Sequence, residues 1–173
     1  VDFDSNLIYS MQNLAGVAVS PSGRLFTSKR KYNEALDDNI PYPFVTNKIV
    51  LSTGDDRTIL DYLRLEYRNE IKNKEVPRFI HIDGSFAGDT ENRKADHTGI
   101  SCCHISGVRQ TESGTKLPII TIDWQLEVVS PKAPNQISFQ KVADIVYTLN
   151  DIIGINIKDG SVTYDGFQSQ YAI

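Results

Sequence analysis

The sequence predicts an α/β domain built on a mixed sheet: three antiparallel strands in series, a crossover helix, and a fourth strand parallel to the first. Three observations carry this. Three strand-like runs, RFIHID, HTGISCCHISG and LPIITIDWQLEVV, follow one another from Arg78 with only polar turn material between them. A helical pattern over 138–153 comes next. A last strand-like run, INIKDGSVTYD, follows the helix, and a helix between two strands is the usual way to connect parallel neighbours.

Taken in order, residues 5–15, SNLIYSMQNLA, place Leu7, Ile8, Met11 and Leu14 at helical spacing, and Gly16 ends the pattern. From Val17 to Thr53 the period fails. PSGRLFTSKRK is polar and turn-rich, IPYPF excludes regular structure, and only NKIVLS resembles a short strand, so this stretch reads as an extended arm or linker. Asp55 or Asp56 then caps a helix predicted over 56–73, in which Ile59, Leu60, Leu63, Tyr67 and Ile71 form one apolar stripe and Pro77 marks the end. The strands follow, separated by GDTENRKAD and VRQTESGTK. In the crossover helix Phe139, Val142, Val146, Leu149 and Ile153 share a face, with Ser138 as N-cap and Gly154 as the stop. The last strand has a bend signal at Asp159-Gly160.

Composition narrows the function classes. The chain has 173 residues, 40% hydrophobic and 23% charged, enough for one ordinary core with an appended segment. No apolar run approaches the roughly 18 residues of a membrane span, and VDFDSNLIYS lacks the layout of a signal peptide, so a soluble, unexported protein is expected. Cys102 and Cys103 are adjacent, a poor geometry for a disulfide and no zinc spacing; they read as small strand residues in a reducing compartment. A net charge of −4 argues against a general nucleic-acid coat. It leaves room for a local site. The basic clusters Arg24, Lys29, Arg30, Lys31 and Arg64, Arg68, Lys72, Lys74, Arg78 read as solvated faces.

The topology gives two aspartates a common address. If the fourth strand lies beside the first and parallel to it, Asp83 at the end of FIHID and Asp165 at the end of VTYD finish side by side. Adjacent carboxylates repel unless a cation bridges them, and hard oxygen ligands without thiolate favour Mg²⁺ or Mn²⁺. Such a layout suits two-metal phosphodiester hydrolysis. Against it stands the plain role of aspartate as a turn residue after a strand.

The motifs FIHIDGSFAGD, ADHTGISCCHISG, ITIDWQLEVVSPKAPNQISFQKVADIVYTLNDIIGINI and VTYDGFQS together resemble the nuclease domain of large terminase subunits from tailed bacteriophages. The resemblance runs from about Arg78 to the end, and more loosely back to IPYPF. It implies a ribonuclease H-like fold, an endonuclease cleaving concatemeric double-stranded DNA with Mg²⁺ or Mn²⁺, and Asp83 and Asp165 as catalytic, metal-binding acids. It also implies portal and small terminase subunit as partners, a motor oligomer, and the host cytoplasm as location. A further aspartate follows the first strand in that family. Asp89 has the family-like spacing from Asp83, whereas Asp96 has the context before Thr98-Gly99-Ile100; Asp96 is preferred because it adjoins the second strand, while Asp89 is expected in a mobile loop.

By the same resemblance, residues 1–76 are expected to lead from an ATPase domain upstream, since no G-x-x-x-x-G-K-[ST] occurs here, and 77–173 to form the nuclease domain without its last strand and helix. The 173 residues alone are therefore expected to hold metal weakly, not to cut DNA at a useful rate, and to leave apolar surface bare. Other features read more plainly. His81 shares strand parity with Asp83 but reads as locally hydrogen-bonded; His97 and His104 have no zinc-like companions. Asp123 reads as a sheet-edge polar residue opposite in facing to Trp124, and the 107–116 loop, with Arg109 and Lys116, as a solvated hairpin. The rival functions are another ribonuclease H-like nuclease, such as a resolvase, and a non-catalytic docking module of the packaging motor.

Overall fold

The structure, a computed structural model, describes residues 29–164. The helix expected at 5–15, Arg24 and Asp165 lie outside the described residues. Contacts divide the chain into two units, Val1–Asn39 and Ile40–Ile173. In the first, helix α1 (Lys29–Ala35) carries one exposed ion pair a turn apart, Arg30 to Glu34 at 2.7 Å.

The second unit holds β1 (Lys48–Ile49), a 3-10 turn (Ile59–Asp61), α2 (Tyr67–Glu70), β2 (Arg78–Asp83), β3 (Thr98–Gln110), β4 (Lys116–Val128), α3 (Phe139–Thr148) and β5 (Ile157–Tyr164). The five strands form one sheet in the order β1-β4-β3-β2-β5. As expected, β2, β3 and β4 pair antiparallel in series and β5 returns parallel to β2. The two-residue β1 adds a parallel strand beside β4. No helix among the described residues is long and apolar enough to cross a membrane.

Among the described residues, the core lies on one side of this sheet. In β2, Arg78, Ile80 and Ile82 are buried while Phe79, His81 and Asp83 are exposed, the period of two that a half-covered strand requires. Helix α3 lies on the covered side. The Ser138 hydroxyl accepts from the Lys141 N–H at its start, Val142 and Ile145 are buried, and a wider turn through Leu149–Ile153 buries Leu149 and Ile153 before Gly154 stops it at φ 79. Each such aliphatic side chain contributes about 1.5–3 kcal/mol by leaving water.

The continuous helix expected over 56–73 does not form. Thr58 and Asp61 close a single 3-10 turn, the Thr58 N–H donating to the Asp61 carboxylate at 2.7 Å. The segment 43–45 then takes the backbone groups a helix would need: Val45 N–H donates to Tyr62 C=O and Arg64 N–H to Pro43 C=O, both at 2.8 Å. Ile59, Leu63, Tyr67 and Ile71 are still buried, but Leu60 faces solvent. The IPYPF stretch is thus part of the core rather than a linker, and Phe44 meets Trp124 edge-to-face at 5.4 Å.

Asp123 also differs from its expected place. The β3–β4 register slips between Cys102, opposite Trp124, and Cys103, opposite Ile122, so Asp123 is the extra residue of a bulge and is buried on the same side as Trp124. There its carboxylate lies 2.9 Å from His104 Nδ1 and 3.6 Å from Arg78 Nε, and Arg78 donates further to the carbonyls of Lys72, Asn73 and Val76. Arg78 is consequently no part of a solvated basic face. Pairing with β2 ends at Arg78 opposite His104, so β3 and β4 continue beyond it as a two-stranded ribbon.

Candidate active site on the open face of the sheet

The uncovered side of the sheet brings four strands into one row. Asp83 in β2 pairs with Gly99 in β3, Gly99 with Glu127 in β4, and Glu127 with Lys48 in β1. All three side chains of this row stand on the open side, as the alternation with buried Ile82, Ile49, Leu126 and Val128 dictates. Gly99 has none, and a Cβ there would meet nothing within 4 Å. The result is a shallow notch of about 410 Å³ between Asp83 and Glu127, bordered by Asn47, His81 and Ser101.

The two carboxylates of the row have different surroundings. Glu127 is held on both oxygens: Lys48 Nζ lies 2.7 Å from Oε2, and His97 Nδ1 bonds Oε1. These two hydrogen bonds, Lys48 first, keep its carboxyl below the usual carboxylate range. Among the described residues, by contrast, no side chain donates to Asp83. Asp83 is an exposed acceptor at the carboxyl end of a strand.

His81 is bound locally, as expected. Its Nδ1 lies 2.9 Å from Thr163 Oγ1, and that hydroxyl donates at 3.3 Å to the Ile80 carbonyl. With the hydroxyl proton so committed, His81 donates from Nδ1 to the Thr163 oxygen. Burial pushes up the thiols of Cys102 and Cys103, so neither offers a thiolate near neutral pH.

Of the aspartates singled out in the sequence, Asp83 borders the notch and Asp89 and Asp96 do not. Asp89 is anchored rather than loose: its N–H donates to Pro131 C=O and its C=O accepts from Ala133 N–H, both at 2.7 Å, while its carboxylate accepts from Ala95 N–H at 2.8 Å. Asp96 is exposed and its carbonyl accepts from Ser130 Oγ at 2.7 Å. Among the described residues no group of three or more His, Cys, Asp and Glu side chains is arranged to hold a metal ion. The residue preceding Asp165, Tyr164, pairs with Ile82, the residue preceding Asp83.

Sequence reasoning missed Glu127, Lys48 and Gly99. The alternation in WQLEV is a signal that could have put Glu127 on the polar side of its strand, but nothing local shows that Gly99 and Asp83 lie in line with it. The chain matches no protein-family model, no curated protein and no solved structure.

Proposed function

We propose that the chain carries a ribonuclease H-like nuclease domain of a phage terminase large subunit, a divalent-metal-dependent endonuclease acting on double-stranded DNA. The observation that carries this reading is the parallel register of β2 and β5. Ile82 pairs with Tyr164, and in the sequence each of these two residues is followed by an aspartate, Asp83 and Asp165. The resemblance of the strand-end motifs to that family supplies the substrate and the motor partners.

The donor chemistry fits a hard cation. Asp83 offers an uncommitted carboxylate, Ser101 and Gln125 line the same notch with oxygen donors, and the thiols are protonated. Asp83 and Asp165 would hold Mg²⁺ or Mn²⁺, which supplies charge stabilisation at a scissile phosphate and an activated water. The chain's own residues set the geometry: the β2 ladder fixes Asp83, the Thr163 hydroxyl fixes the His81 ring, and Gly99 leaves room for a sugar-phosphate backbone over the sheet.

Mn²⁺ titration followed by electron paramagnetic resonance tests the reading. The expected result is weak, saturable binding that Asp83→Asn and Asp165→Asn each abolish while Asp159→Asn does not. Binding that survives both of the first two variants, or no saturable binding at all, contradicts a metal-dependent nuclease and leaves the docking module.

A further inference from the structure

Beside Asp83 the open face holds a second feature: a lysine fixed in place. We propose that Lys48 and Asn47 form a phosphate-binding subsite for the DNA strand, at the far end of the row that begins at Asp83. This inference rests on the nuclease reading above and adds the place where the strand is gripped.

The argument is one of geometry and charge. Lys48 is in register with Glu127, Gly99 and Asp83, so it stands three strand spacings from Asp83, about 14 Å across the sheet. That span corresponds to no more than about four nucleotides of rise along one strand of a duplex. Glu127 takes one N–H of the ammonium, and the side chain is still 60% exposed, so two donors remain for solvent or ligand. His97 Nδ1 bonds the other Glu127 oxygen, so both oxygens of that carboxylate are engaged. Asn47 borders the same notch, and its amide offers two further N–H donors.

A phosphodiester strand entering the notch meets carboxylates at Asp83 and Glu127. Among the described residues bordering it or bound to its rim, Lys48 is the permanent cation, and it stands within a few nucleotides of rise of Asp83 along one strand. The chain as a whole carries −4, so binding must come from such local contacts rather than from a general positive surface. The acidic half of the row then aligns a scissile phosphate, with metal, and the basic end fixes the register of the strand.

The test is fluorescence anisotropy of a short labelled duplex with the full 173-residue chain, with chelator present, over a series of NaCl concentrations. Lys48→Gln should weaken binding several-fold at low salt and lower the slope of log K against log salt by about one, the signature of one lost phosphate contact. Asn47→Ala should weaken binding with the slope kept, and Lys158→Gln, on β5, should change neither. Mn²⁺ binding in Lys48→Gln should equal that of the parent chain. Duplex binding whose slope is the same with and without Lys48 overturns the subsite while leaving the metal reading intact. Absence of duplex binding by the parent chain overturns the subsite and the nuclease reading together.

Discussion

In β2 the residues Arg78, Ile80 and Ile82 face a packed core, and the residues between them, Phe79, His81 and Asp83, face solvent. The same strand therefore belongs to two different environments. On the covered side, among the described residues, twenty buried hydrophobic residues form one cluster, and the buried ionic group Arg78–Asp123–His104 is satisfied within the protein apart from Arg78 Nε. On the open side the polar groups are left with unused donors and acceptors, and the apolar ones are left bare: Phe79, Ile105, Val108, Ile120 and Ile122 are 45–62% exposed. The contrast separates stability from chemistry. Substitutions on the first side should unfold the chain, and substitutions on the second should change what it binds.

The largest expected effect is at the buried ion cluster. Asp123→Ala leaves Arg78 buried without its carboxylate and should cost about 3–5 kcal/mol in urea unfolding. A loss below about 1 kcal/mol would mean that water reaches Arg78 and that the covered face is not closed. Next comes Ile82→Ala, fully buried, at about 2–5 kcal/mol. Its neighbour supplies the sharpest comparison. Asp83→Asn, one residue on, should move stability by less than about 0.5 kcal/mol while removing Mn²⁺ binding; equal destabilisation by both variants would break the distinction between the faces.

Smaller effects sharpen it. The bare apolar strip should make the chain associate as concentration rises. Ile120→Thr should reduce that association in sedimentation velocity and leave unfolding within about 0.5 kcal/mol of the parent. The smallest expected effect concerns acid. Glu127 is held below its ordinary value of 4.5, so its contribution to stability is present above that value and is lost as pH falls through the lowered one. Lys48→Gln removes the larger of its two causes and should therefore flatten the acid limb of a stability–pH profile; an unchanged limb would mean that the Lys48–Glu127 pair is not formed in solution.

What the sequence revealed was local or periodic. The period-two runs gave the strands, the i, i+3, i+4 pattern of Phe139, Val142 and Val146 gave the crossover helix, and Ser138 and Gly154 marked its limits. The parallel return of β5 followed from the order of elements. The losses were non-local. Burial at Ile59, Leu63, Tyr67 and Ile71 satisfies a helical period, but the backbone of Tyr62 and Arg64 is claimed by residues 43–45, which no window around position 63 contains. Asp123 was misplaced because a bulge shifts parity by one residue, and the bulge is a property of the β3–β4 pair. The candidate site was half legible: Asp83 announced itself at a strand end, whereas Lys48, Gly99 and Glu127 come from three other strands and acquire meaning only through register.

The most direct measurement of the central claim is iron-mediated backbone cleavage. Fe²⁺ in place of Mg²⁺, with ascorbate and peroxide, generates hydroxyl radicals where the ion sits, and the fragments are mapped by mass spectrometry. The account predicts two cuts, one beside Asp83 that splits the chain near its midpoint and one beside Asp165, both suppressed by excess Mg²⁺ and both absent in Asp83→Asn. Cuts confined to the 89–96 loop, or cuts at Asp83 that persist in the Asp165→Asn variant, would contradict a metal shared by the ends of β2 and β5.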